Sequence, residues 1–63
     1  MKQMIAAGNV KVGDKFRVEG FTHAEDKWLV VLHKEFRGNT VLLSLEEDFS
    51  IARRRTQTVH IDR

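Results

Sequence analysis

The 63-residue chain has no cysteine and no proline, and its only aromatic side chains are four phenylalanines and one tryptophan. Without cysteine no disulfide can form, and His23, His33 and His60 lie on different predicted segments without the spacing of a zinc site. A domain this small buries only about 60% of the surface of its unfolded chain. Because both usual stabilising devices of small domains are missing, we expect tight packing or self-association to stabilise the fold.

Long apolar runs and a strong charge imbalance are also missing. The longest apolar run, Trp28 to Leu32, falls far short of the roughly 20 residues that cross a bilayer. The first residues lack the apolar core of a signal peptide. Eleven basic and nine acidic side chains give a formal net charge of +2, which is too small to demand a polyanionic partner. We therefore expect a cytoplasmic protein that does not contact membranes.

No motif for catalysis, metal binding or a cofactor is present. A nucleophile and a base can be chosen only freely among Ser44, Ser50 and the histidines, without a Gly-x-Ser-x-Gly frame. The acidic run from Glu46 to Asp48 lacks the ligand spacing of a calcium loop and is predicted to be a solvated turn. No helix N-terminus is predicted after Gly8 or Gly13, so neither begins a phosphate-binding loop. The sequence therefore predicts a protein that is not an enzyme and carries no metal and no cofactor.

The chain does contain a series of short alternating segments, which begins with Val12 to Gly20. There Phe16 and Val18 lie on one face of a predicted strand, and polar side chains lie on the other face. Gly13 and Gly20 give the backbone freedom for tight bends at both ends of this strand. The pattern is typical of the opening of a small β-barrel.

Four further strands are predicted after a polar connection from Thr22 to Lys27. They cover Trp28 to His33, Thr40 to Leu45, Phe49 to Arg55 and Gln57 to Asp62. In the turn predicted from Lys34 to Asn39, Gly38-Asn39 supply the positive-φ residues that a hairpin favours. Five short strands without a helix predict an all-β, antiparallel, SH3-like barrel over residues 9–63, with an OB-like barrel as the alternative. Residues 1–8 are left open between a helical turn, an extra strand and a flexible N-terminal arm.

The order of these segments resembles two known families of small barrels. Val12-Gly13-Asp14-Lys15-Phe16-Arg17-Val18-Glu19-Gly20 resembles the KOW-type opening, in which Gly-Asp precedes an alternating strand and a glycine. The later Trp-Leu-Val-Val strand, Gly-Asn hairpin and Val-His-Ile strand look like the SH3-like N-terminal domain of the elongation factor P family, over about residues 9 to 62. The chain has no Pro-Gly-Lys-Gly loop and no further KOW glycines. The resemblance therefore implies the SH3-like barrel and not a role as a translation factor.

The second predicted strand is apolar on both faces, which predicts an exposed apolar patch. Trp28, Val30 and Leu32 share one face, and if they face the core, the other face and the next strand leave Leu29, Val31 and Leu42 outside. Three occupants are open for this patch. Met4 and Ile5 of the N-terminal arm can fold over it, a second copy can form a homodimer, or another protein can bind. In the last case the chain is a small accessory or inhibitor protein of a phage or plasmid that docks on a host enzyme.

The other notable segment is the basic run Arg53, Arg54 and Arg55, because no acidic residue occurs from Ser50 to His60. Lys34 and Arg37 can extend it into a basic edge that binds DNA or RNA, with Trp28 or Phe36 stacking on an unpaired base. The leading hypothesis is therefore a non-enzymatic SH3-like module that binds nucleic acid through these five cations.

A structural role is the alternative for the same arginines. Pairing of the third and fourth strands around the acidic turn places Ile51 opposite Leu43, which turns Arg53 and Arg55 toward the core side and Arg54 outward. Arg53 or Arg55 then caps an open barrel end with its aliphatic stem packed and its guanidinium solvated. The run also suits a solvated or salt-bridged edge that blocks strand-to-strand aggregation.

Overall fold

The computed structural model describes residues 1–22 and 25–63, and it describes side chains for residues 1–18 and 27–63. His23 therefore lies outside the described residues, as does the middle of the predicted connection from Thr22 to Lys27. The strands are β1 (Lys2–Ala6), β2 (Lys15–Thr22), β3 (Glu25–Arg37), β4 (Thr40–Leu45), β5 (Ser50–Arg54) and β6 (Thr58–Asp62). A single turn of 3₁₀ helix, Ala7–Asn9, follows β1. In this part of the chain, no helix is both long enough and apolar enough to cross a membrane.

The strands form one antiparallel sheet in the order β1-β6-β2-β3-β4-β5. The all-β, antiparallel prediction is confirmed. Within the described residues no ladder joins β1 to β5, so the sheet is open. The 3₁₀ helix lies beside that opening, because the Ala7 amide donates to the Gln57 carbonyl at 2.8 Å and the Gly8 amide donates to the Arg55 carbonyl at 2.9 Å.

The predicted count of five strands is wrong, because residues 2–6 add a sixth. All five residues of β6 pair with β1, for example His60 with Met4 and Val59 with Ile5. On its other side β6 pairs with β2 at only two positions. The Ile5 side chain packs against the core, whereas Met4 is 67% exposed. Of the three alternatives for residues 1–8, the structure therefore has the extra strand, which gives β6 a full-length partner.

The assignment of faces on β3 is also wrong. Leu29 is 5% exposed and Val31 is fully buried, whereas Leu32 is 59% exposed. Leu29 pairs with Phe16 and Val31 pairs with Leu45, and cross-strand partners share a face. Both partners point into the core, so Leu29 and Val31 must do so too. The core residues are Ala7, Val10, Phe16, Val18, Leu29, Val31, Val41, Leu43, Leu45, Val59 and Ile61.

A β-bulge in β3 determines which side chains after Leu32 face the core side of the sheet. Val31 pairs with Leu45 but His33 pairs with the adjacent Ser44, so β3 carries one extra residue at Leu32. The bulge reverses the alternation and turns the next two even-numbered side chains, Lys34 and Phe36, to the core side. β3 continues to Arg37, so the predicted turn from Lys34 shortens to Gly38-Asn39, with Gly38 at φ 58°.

The turn between β4 and β5 supports the region around the bulge. Glu46 accepts a hydrogen bond from the Val30 amide at 2.8 Å through Oε1, and its own amide donates to the Val30 carbonyl at 3.1 Å. Glu47 and Asp48 have φ values of 61° and 58°, the left-handed conformation that lets the chain reverse. The acidic run is thus a turn, as predicted, but Glu46 accepts from the Val30 amide and Glu47 pairs with Lys27 at 3.3 Å.

A buried carboxylate joins the Gly13-Asp14 turn to the last residue. Asp14 is 6% exposed and accepts hydrogen bonds from the Lys11 amide at 2.9 Å and from Arg63 Nε at 3.0 and 3.2 Å. Burial by itself raises the pKa of Asp14, but the hydrogen bonds and charges of Arg63 and Lys11 outweigh it, and the pKa lies below the ordinary 3.8. Arg63 Nη2 also donates to the Asn9 carbonyl at 3.1 Å.

Candidate nucleic-acid interface

A half-exposed aromatic ring with two cations lies at the end of the β3-β4 hairpin. Phe36 is 47% exposed, and Lys34 Nζ and Arg55 Cζ each lie 4.7 Å from the centroid of its ring. The bulge turns Lys34 and Phe36 to this side, and the Arg55 amide donates to the Asn39 carbonyl at 2.8 Å. Both distances are within the range of cation–π attraction. The fold thus brings the aromatic residue and the end of the arginine run together.

The ammonium group of Lys34 forms hydrogen bonds to backbone carbonyls. Its Nζ donates to the carbonyls of Gly8 and Val10, both at 2.7 Å. With the contact from Arg63 to Asn9, three successive carbonyls at the end of the 3₁₀ helix accept from cationic side chains. Carbonyls at a helix end lack intrahelical donors, and cations are favourable there. Lys34 therefore positions the 3₁₀ helix, and no sequence signal marked this role because its acceptors lie 26 and 24 residues away.

The three consecutive arginines have three different environments. Ile51 pairs with Leu43 and Arg53 pairs with Val41, which confirms the predicted register and places Arg53 on the core side, half-buried. Arg53 Nη1 donates to the Ala52 carbonyl at 2.8 Å. Arg54 is exposed on the outer face, and Arg55 lies beside the Phe36 ring. In the described part of the chain none of the three forms an ion pair with a carboxylate.

An open cleft of about 620 Å³ lies over the junction between the 3₁₀ helix and the end of β5. We call it the arginine cleft, and its lining residues are Gly8, Asn9, Asn39, Arg54, Arg55 and Thr56. None of them is acidic, and the side chains of Asn9, Asn39 and Thr56 make no hydrogen bond to any described residue. The floor is closely packed, because a Cβ added at Gly8 would lie 3.3 Å from the Arg55 carbonyl oxygen. The cleft therefore offers positive charge together with free neutral donors and acceptors.

The predicted site residue Arg37 and the predicted stacking residue Trp28 do not line this cleft. Arg37 is exposed, and its Nε donates to Glu35 Oε2 at 2.7 Å, so its charge is partly compensated. Trp28 pairs with Arg17 in the β2-β3 part of the sheet, and Lys2 Nζ lies 4.9 Å from its ring centroid. Of the two proposed stacking residues, Phe36 is therefore the one beside the arginine run.

The predicted apolar patch is reduced to one residue. Leu29 and Val31 are buried, and Leu42 is half-buried on the outer face between Glu35 and Ala52. Neither Met4 nor Ile5 is needed to cover it, since both belong to β1 at the other edge of the sheet. No continuous apolar face of Leu29, Val31 and Leu42 exists to receive a partner.

The chemistry of the arginine cleft suits an anion that carries a planar group. Arg54 and Arg55 can donate to phosphate oxygens, and the exposed part of the Phe36 ring beside Arg55 can stack on a base. Comparison of the chain with family models, with curated proteins and with solved structures found no match.

Proposed function

We propose that this protein is a non-enzymatic module that binds single-stranded nucleic acid, DNA or RNA, at the arginine cleft. The observation that carries the proposal is an acid-free cleft whose two arginines have no carboxylate partner among the described residues, and one of them, Arg55, lies beside the half-exposed Phe36. Arg37, by contrast, is compensated by Glu35. Uncompensated arginines favour a partner that supplies the negative charge.

Two parts of an unpaired nucleotide match the two parts of the site. Phosphate oxygens accept hydrogen bonds from the planar guanidinium groups of Arg54 and Arg55. An unstacked base packs on the aromatic ring, which contributes about 1–3 kcal/mol per base. The neutral side chains of Asn9, Asn39 and Thr56 can donate to and accept from a base edge or a sugar. Duplex bases are already stacked on one another, so the proposal specifies a single strand.

The scaffold proposed for this module is an SH3-like barrel of the KOW or elongation factor P type with one added strand. Support comes from the 3₁₀ helix, whose Ala7 and Gly8 amides bond to the Gln57 and Arg55 carbonyls beside the open edges of the sheet. In such a barrel the arginine cleft lies where the two edge strands of the sheet, β1 and β5, approach each other.

The test is titration of a fluorescently labelled, mixed-sequence single strand, DNA and RNA in parallel, followed by anisotropy. The Arg54→Gln, Arg55→Gln double variant should bind at least tenfold more weakly, because charged hydrogen bonds contribute about 1.5–3 kcal/mol each. The wild-type affinity should fall with salt with a slope of about −0.7 per phosphate contacted.

The matched control is the Lys2→Gln, Lys15→Gln double variant, which removes the same charge from exposed residues of β1 and β2. It should bind the strand as the wild-type does. Equal weakening in both variants would mean that net charge alone drives binding, and the arginine cleft would not be the site. Absence of binding by the wild-type protein would contradict the proposed function itself.

A further inference from the structure

We infer that a bound single strand continues from the arginine cleft across the β5-β6 connection into a second cleft, where Arg53 binds its backbone phosphate. The inference rests on the proposed function and specifies the path of the same ligand. The second cleft has a volume of about 170 Å³, and its polar lining consists of Arg17, Arg53, Gln57, Thr58 and His60. Like the arginine cleft, it contains no carboxylate among the described side chains.

The two clefts are joined because one short segment of chain lines both. Arg54, Arg55 and Thr56 line the arginine cleft, and the residues on either side of them, Arg53 and Gln57, line the second cleft. The Gln57 amide donates to the Arg54 carbonyl at 3.0 Å, which closes a tight turn between the two clefts. A strand that crosses this turn can therefore reach both clefts.

The turn is held in place before any ligand binds. The Arg55 carbonyl accepts from the Gly8 amide, the Gln57 carbonyl accepts from the Ala7 amide, and the Arg55 amide donates to Asn39. These bonds tie the connection to the 3₁₀ helix on one side and to the β3-β4 hairpin on the other. A preformed backbone reduces the entropy lost on binding.

Arg53 is the arginine of the second cleft that lies next to the arginine cleft along the chain. It pairs with the buried Val41, so its stem begins on the core side of β5 and its side chain is half-buried. Its one hydrogen bond to a described residue is the contact of Nη1 with the Ala52 carbonyl, which leaves most of its five N–H donors for a ligand. A partly buried guanidinium has fewer conformations to lose than an exposed one when it binds phosphate.

The sizes of the clefts indicate how much of the strand each one holds. The arginine cleft, at about 620 Å³, falls within the roughly 300–1,000 Å³ of ordinary ligand pockets, so it has room for a nucleotide whose phosphate Arg54 or Arg55 binds. The second cleft, at about 170 Å³, falls below that range and fits a phosphate group. A nucleic-acid strand supplies a further phosphate beyond that nucleotide, whereas a mononucleotide or a simple anion does not.

The test compares a dinucleotide with an octanucleotide by anisotropy, in DNA and RNA series that identify the sugar preferred. Arg53→Gln should weaken octanucleotide binding about tenfold, as expected for one charged hydrogen bond lost, and should reduce its salt slope by about 0.7. Binding of the dinucleotide, which the arginine cleft alone can hold, should be unchanged. Lys15→Gln, an exposed lysine outside both clefts, is the control of equal charge and should change neither affinity.

A second variant guards against a folding defect in Arg53→Gln. Thr58→Glu places a carboxylate at an exposed position of the second cleft and leaves Arg53 in place, and it should give the same selective loss for the octanucleotide. If both variants bind the octanucleotide normally while the Arg54→Gln, Arg55→Gln double variant does not, the path is wrong and the proposed function stands. If the wild-type protein binds neither length, both the path and the proposed function are wrong.

Discussion

Two arginine-bearing regions of this small protein behave in opposite ways. Arg63 donates to the buried carboxylate of Asp14 and to the Asn9 carbonyl, so its charge is compensated within the fold. Arg54 and Arg55 have no carboxylate partner among the described residues, and they line an open cleft. The cationic group is the same in both regions, but only one has an acid placed beside it by the topology. The arrangement of acids, more than the number of arginines, separates structural cations from those available to a ligand.

Lys34 shows the same contrast. It lies next to the arginine cleft, but its charge is used within the fold, as that of Arg63 is. Its ammonium is bonded to two carbonyls at the end of the 3₁₀ helix, while Arg55 shares only the Phe36 ring with it. Three variants and a pH series test the difference between the structural cations and those of the arginine cleft.

The largest change in stability is expected from Asp14→Ala. The variant leaves the Lys11 amide and the Arg63 guanidinium without their buried acceptor, which should lower the free energy of unfolding by roughly 2 kcal/mol. Urea unfolding followed by tryptophan fluorescence measures the loss. The matched variant on the other side of the comparison is Arg54→Ala, an exposed residue that should change stability by less than about 0.5 kcal/mol. Similar losses in the two variants would remove the distinction between the regions.

A smaller loss is expected from Lys34→Met, which keeps the apolar stem and removes the ammonium. The carbonyls of Gly8 and Val10 then lose a charged donor, at a cost of about 1.5 kcal/mol in the free energy of unfolding. Amide hydrogen exchange should increase at Ala7 and Gly8, because the 3₁₀ helix is less firmly held. Unchanged exchange at both amides would show that Lys34 does not position this helix.

The smallest expected effect is a pH dependence of stability that comes from Asp14, in the region of Arg63. Because the folded-state pKa of Asp14 lies below its ordinary 3.8, the ionised carboxylate stabilises the fold above that pH. The stabilisation is lost as the pH falls through the lower folded-state value. At neutral pH the free energy of unfolding of Asp14→Asn should therefore be lower than that of the wild-type. The difference should shrink below about pH 4, where the wild-type loses the same charge. A difference in the free energy of unfolding that stays constant from neutral to strongly acid pH would contradict the role of this charge.

Much of the strand pattern was predictable because it depends on local signals. Thr40 to Leu45 matches β4 at both ends, the Gly38-Asn39 turn was identified from its residue types, and the pairing of Ile51 with Leu43 followed from the position of the acidic turn. These features need only alternation and turn chemistry within a few residues. The separate environments of Arg53 and Arg54 followed from the same register.

The faces of β3 could not be derived from the sequence for a physical reason. Both faces of this strand are apolar. The hydrophobic pattern therefore does not show whether Leu29 and Val31 or Trp28 and Val30 face the core. The choice depends on the long-range pairing with Phe16 and Leu45, and the bulge at Leu32 then changes the alternation for Lys34 and Phe36. The same limit applies to β1, whose pairing with β6 joins the two ends of the chain.

The most direct test of the central claim is an NMR titration that follows the arginine side-chain Nε–H signals while a single-stranded octanucleotide is added. The account predicts that the signals of Arg54 and Arg55 shift in a saturable way that is suppressed by salt, whereas the Arg63 signal, held by Asp14, does not move. Shifts confined to Arg63, or equal shifts of all three, would contradict the claim that compensation by acids decides which arginines bind the strand.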